Sequence, residues 1–120
     1  VIRNHNMLKA TSYKGLDLYN LSKKLVIACY ELTHELPAEE NNNFTRYIRT
    51  AAISLHLNIA QAVLIESKKR KKLIRNARSA LIIIDAAVEI LVELQFVTKQ
   101  QIELITSLSS SCFQMLDELS

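Results

Sequence analysis

The chain has 120 residues, 49% of them hydrophobic, with one glycine, one proline and a formal net charge of +3. That length predicts one domain, and the near absence of turn residues excludes β-rich folds, so the class is all-α. A single glycine also excludes glycine-rich phosphate loops and serine nucleophile elbows. Cys29 and Cys112 form no CxxC and have no histidine at ligand spacing. They are expected to be buried free thiols of a reduced compartment, and the pattern gives no support to a disulfide between them.

Residues 1–14 are expected to be an N-terminal tail, and residues 15–120 a single four-helix-bundle domain. The first predicted helix runs from Leu16 to Leu36, with Leu18, Leu21, Leu25, Ala28, Leu32 and Leu36 on its buried face. Pro37 closes it, because proline disfavours helical geometry in the residue before it. Ala38 to Asn43 is a polar link. The second predicted helix runs from Phe44 to Ile65. Phe44, Ile48, Ala51, Ala52, Leu55, Ile59, Ala62 and Val63 form its main face, while Ile53, Leu57 and Leu64 lie off that face.

The third predicted helix follows Ser67, a candidate cap. It opens on a basic run, Lys68-Lys69-Arg70-Lys71-Lys72, and then turns almost wholly apolar. Ile74, Ala77, Leu81, Ile84, Val88 and Leu91 form a heptad-like seam. Ile83, Ala87, Ile90 and Leu94 form a second seam, rotated by roughly a third of a turn at about 100° per residue. The polar face is basic at its start and acidic, through Asp85, Glu89 and Glu93, towards its end. A helix macrodipole prefers the opposite order. Local stability therefore does not explain the pattern; it fits either an outside partner, a polyanion or an oppositely charged neighbouring subunit, or a solvated polar face with no partner. The same three acids argue against a membrane span from Leu81 to Val97. Residues 1–15 lack the apolar core of a signal peptide, so a cytoplasmic protein is expected. A fourth helix starts near Thr98, where Thr98 and Gln101 fit a capping box. Ile102, Ile105, Leu108, Cys112, Met115, Leu116 and Leu119 supply its core face. Ser107, Ser109, Ser110 and Ser111 are expected mostly to face water or to approach a neighbour closely. Four helices joined by short links predict an antiparallel, up-down-up-down four-helix bundle.

No catalytic constellation emerges. His5, His34 and His56 are scattered, and Glu31-Leu32-Thr33-His34 is one copy of a motif that metal-binding bundles use twice. No metal, cofactor or enzymatic activity is expected. Asn58 and Gln61 interrupt the apolar run of helix two; each is expected to be exposed or internally satisfied, the alternative being a buried polar group that fixes helix register. Charge is the informative feature. Residues 1–65 carry +2, residues 66–78 carry +6 and residues 79–120 carry −5. Lys68, Lys69, Arg70, Lys71, Lys72, Arg75 and Arg78 are the candidate phosphate contacts, with Arg46 and Arg49 as a separate, weaker patch. Few aromatic residues lie near this segment in sequence, so base stacking is not predicted there. The expected ligand is structured RNA or a duplex.

Most of the chain, Tyr19 to Leu119, resembles a known family. Leu36-Pro37-x-Glu39 closes helix one, and Arg49-x-Ala51-Ala52-Ile53-Ser54-Leu55-x-x-Asn58-Ile59-Ala60 follows in helix two. Ala77-x-Ser79-Ala80-Leu81 and the turn from Glu93 to Thr98 also fit. The family is the four-helix-bundle proteins encoded by intervening sequences in bacterial large-subunit ribosomal RNA genes. The accessory variability determinant of diversity-generating retroelements is related to it. This chain departs from the intervening-sequence members at Gln61-Ala62, where they usually have Glu-Gly, and at Ile83, near which they tend to have glutamate. The start of helix four and Met115-Leu116 are similar to the retroelement branch.

The resemblance implies a homo-oligomer, typically a five-fold ring (a homopentamer), with a positive surface that binds RNA or DNA. In the retroelement branch it also implies a reverse transcriptase as partner. The reading is a non-enzymatic, nucleic-acid-binding oligomeric bundle. The alternative is a protein-interaction scaffold that docks an acidic partner, such as a polymerase, with little direct nucleic-acid binding.

Overall fold

A computed structural model of the chain describes residues 13–64 and 68–119. The predicted tail up to residue 12 and the candidate cap Ser67 lie outside the described residues. Four helices carry the fold: α1 (Tyr13–His34), α2 (Phe44–Leu64), α3 (Arg70–Glu93) and α4 (Glu103–Leu119), with a short 3₁₀ turn at Ala38–Glu40. No strand occurs among the described residues. α2 packs between α1 and α3, and α4 closes against α1 and, less extensively, α3.

The ends of the helices follow local chemistry. α1 begins at Tyr13, inside the predicted tail, and stops at His34. Its last two residues before proline tighten instead into bonds from Glu35 N–H to the Leu32 carbonyl and from Leu36 N–H to the Thr33 carbonyl, each 3.1 Å. Pro37 then takes extended geometry, φ −64° and ψ 153°. At the α3 terminus, Gln95 adopts φ 64°. Its N–H bonds the Val92 carbonyl, and the Phe96 N–H bonds the Leu91 carbonyl. This is a Schellman closure, here without the glycine that usually supplies the left-handed residue. The predicted capping box is formed. The Thr98 N–H donates to Gln101 Oε1 at 2.8 Å, and the Gln101 N–H donates to Thr98 Oγ1 at 3.2 Å. Regular α-helix begins only at Glu103, because residues 99–102 are turn.

Every member of the first α3 seam, Ile74, Ala77, Leu81, Ile84, Val88 and Leu91, is buried. They meet Leu18, Leu25 and Leu32 of α1, Ile48, Leu55 and Ile59 of α2, and Ile105, Cys112 and Leu116 of α4 in one core. The second seam behaves differently. Ile83, Ile90 and Leu94 are 48%, 47% and 54% exposed. Ile53 and Leu57, off the main α2 face, are exposed too. Three of the four helix-four serines face water, whereas Ser109 is fully buried.

Candidate nucleic-acid interface

The helical repeat spreads the basic run of α3 around its solvent side. Lys68, Lys69, Lys71, Lys72 and Arg75 are exposed, and Arg70 and Arg78 are half-buried. Arg78 is paired across to Asp117 of α4. At 100° per residue, Lys71 and Arg78 share the flank towards α4, Arg75 points outward, and Lys72 lies on the flank towards α2. The first turn of α3 holds no acidic residue, and Lys69, at the cap position, makes no side-chain cap. The positive end of the helix dipole therefore adds to the lysines. α4, by contrast, carries Glu103 in its first turn.

Arg46 and Arg49 part company. Arg46 is exposed. Arg49 is turned onto α1, where its Nε donates to Thr33 Oγ1 at 2.8 Å and its guanidinium lies 4.4 Å from the Tyr30 ring centre. Thr33 Oγ1 in turn donates to the Cys29 carbonyl at 2.7 Å. Arg49 thus satisfies the last turn of α1. The structure groups five exposed cations at the start of α3 and in the turn before it, sets Arg46 apart, and turns Arg49 and Arg78 onto other helices.

Sequence reasoning passed over one surface. Between α2 and α3 runs a groove of about 310 Å³, lined by Tyr47, Thr50, Ala51, Ser54, Asn76, Ser79, Ala80 and Ile83. Tyr47 is 65% exposed at its edge. Asn58 and Asn76 bridge the same two helices, with Asn76 Nδ2 donating to Asn58 Oδ1 at 3.4 Å. The Asn58 amide is itself satisfied, donating to the Ser54 carbonyl at 2.7 Å, and Gln61 is exposed. The available signal was Tyr47 itself, an aromatic on helix two outside its apolar face.

The family model of the 23S rRNA-intervening sequence protein matches residues 14–118. The chain belongs to that family. The matched span takes in all but the end residues of α1 and α4, the whole of α2 and α3, and the basic segment from Lys68 to Arg78. No curated protein matches the chain closely enough to count as a relative.

Elsewhere in the chain the polar groups read as structural. Ser22, fully buried, lies 2.8 Å from His56 Nδ1 and donates to the Tyr19 carbonyl at 2.9 Å. The His56 ring sits 4.7 Å from the Tyr19 ring. Burial, and then Lys23, lower the His56 pKa. Asp85 faces the opposite shift. Burial raises its pKa, the Ser109 hydroxyl draws it part of the way back, and Glu89 raises it further. Cys29 and Cys112 are free and buried. Burial pushes both thiols up to about 12, so they are protonated and poor nucleophiles at neutral pH. Among the described residues no three His, Cys, Asp or Glu side chains stand together as metal ligands, and no helix is long and apolar enough to cross a membrane.

Proposed function

We propose that this chain is a non-enzymatic, homo-oligomeric bundle that binds structured RNA or duplex nucleic acid through the basic start of α3. The observation that carries the reading is the set of five exposed cations, Lys68 and Lys69 in the turn before α3 and Lys71, Lys72 and Arg75 in its first turns. Such an array binds a phosphate backbone by releasing condensed counterions, with little sequence reading of its own. Arg46 adds to the positive field. Arg49 and Arg78 act first within the chain.

Self-association is supported by what the bundle leaves uncovered. Ile90 and Leu94 on α3, and Ile27 and Leu104 on α1 and α4, are each about half exposed or more. Glu31 and Glu35 line the groove beside Leu104, and complement the basic half of α3 in charge. Two different surfaces meeting head to tail generate a ring when the rotation closes. In the retroelement branch that the sequence resembles, the same bundle assists a reverse transcriptase, and that is the protein partner to try first.

The test is anisotropy of a labelled structured RNA and a matched DNA duplex across a salt series. Wild type is run beside Lys71→Glu/Lys72→Glu/Arg75→Glu. Tight binding with a steep salt slope, lost in the variant, is expected. Wild-type binding that survives all three reversals would sink the site. No binding by either protein would favour the docking scaffold.

A further inference from the structure

The α2–α3 groove combines features that a subunit contact does not need. Its floor is the buried pair Ala51 and Ala80, and its sides carry two hydroxyls from α2, Thr50 and Ser54, and an amide and a hydroxyl from α3, Asn76 and Ser79. An apolar side chain pressed into it would strand these groups without water. A planar, polar-edged ligand would not. The walls are an exposed aromatic ring, Tyr47, and an exposed branched aliphatic side chain, Ile83. Its volume of about 310 Å³ lies at the small end of ligand pockets, which start near roughly 300 Å³.

Charge brackets the groove. Lys72 precedes Asn76 by four residues, Arg75 precedes Ser79 by four, and Arg46 precedes Thr50 by four. Residues at that spacing are neighbours on a helix surface. Each of these cations is exposed. Lys72 and Ile83 are eleven residues apart, or roughly 16 Å at 1.5 Å per residue. The groove therefore has an aromatic wall, hydrogen-bonding groups along its sides and a cation one turn away from three of its lining residues.

We infer that the groove between α2 and α3 binds a single unpaired nucleobase of a structured RNA, stacked on Tyr47, with the RNA backbone running past Arg46 at one end of the groove and towards Arg75 and Lys72 at the other. This rests on the nucleic-acid reading above and sharpens it: the basic start of α3 holds the backbone and the groove selects for an unpaired base. Stacking on an aromatic ring tolerates any base, while the Asn76 amide and the three hydroxyls are placed to read its edge. A paired base cannot enter, because its faces are covered by its neighbours in the stack. Tyr47 lies well outside the basic run in sequence, so only the fold brings it to the same side.

The experiment uses the full chain and two RNAs, a hairpin with 2-aminopurine in its unpaired loop and a fully paired duplex of equal length. Wild type is compared with Tyr47→Ala and with Ser79→Phe, which fills the groove without removing a cation. Both variants are expected to bind the hairpin about tenfold more weakly and the duplex as before. The reporter's emission is expected to change on binding wild type and to stay unchanged with either variant. Tyr47→Phe should behave as wild type. Equal losses for hairpin and duplex, or no loss for either, overturn the groove assignment while leaving the basic interface standing. Wild type that binds neither RNA overturns both.

Discussion

The two seams of α3 look alike in sequence and end in opposite environments. Ile74, Ala77, Leu81, Ile84, Val88 and Leu91 are covered by the other three helices, whereas Ile83, Ile90 and Leu94 stand about half exposed. Both are aliphatic stripes at helical spacing on one element. The difference lies in how many neighbours the chain supplies. A four-helix arrangement has one central line, and α3 can turn only one stripe towards it. The second stripe is apolar beyond what the single chain buries, so its residues answer to something other than monomer stability. Clusters of exposed apolar side chains on a soluble domain commonly mark interaction surfaces.

That contrast is breakable. Leu81→Ala and Ile84→Ala remove fully buried side chains and should each cost about 2–5 kcal/mol in denaturant unfolding. A cost below about 1 kcal/mol would mean that the first seam is not the centre of the core. Asp85, on the polar face between core and solvent, offers a smaller and pH-dependent effect. Its carboxyl has a raised pKa in the folded state, so the fold binds that proton more tightly than the unfolded chain does. Its contribution is therefore greatest below the ordinary aspartate range and is lost as pH rises from there through the folded value. Asp85→Asn should flatten this part of the stability profile. A slope of the opposite sign at Asp85 would place the group in a charge-stabilising site instead. His56 runs the other way: its lowered pKa makes protonation oppose folding, so stability should fall as pH drops below about 6.5. The smallest effect belongs to the second seam. Ile90→Ser should change the unfolding free energy of dilute protein by no more than about 0.5 kcal/mol. The same variant should lower the assembled mass seen in sedimentation at high concentration. A large loss of stability without any change in mass would erase the distinction between the seams.

Much of the fold was legible because it depends on periodicity. The first seam, the α1 and α2 core faces and the Thr98–Gln101 capping box stand where the residue spacing puts them. Helix ends were less legible. α1 stops short of Pro37 because the residues before it form tighter turn bonds. α4 starts after its capping box, because residues 99–102 are turn. The candidate site was legible as charge and not as geometry. Sequence groups Arg46 with Arg49, yet three residues on a helix turn the side chain by about 300°, and this sends Arg49 to Tyr30 and Thr33 of α1 while Arg46 stays in solvent. Arg78 meets Asp117 from the far end of the chain, which no local pattern announces. Tyr47 and Ser79 line one groove although most of α2 and the first turns of α3 separate them in sequence.

The left-handed turn at Gln95 has a practical consequence. A residue with a Cβ pays for that backbone geometry, by roughly 1 kcal/mol against glycine. Gln95→Gly removes the penalty at a site distant from the basic run and from the α2–α3 groove. It should raise the thermal midpoint by several degrees, as expected for a domain of this size. That makes it a suitable parent for the damaging substitutions, because variants that would otherwise be lost to unfolding in the expression host could then be purified and compared at equal concentration.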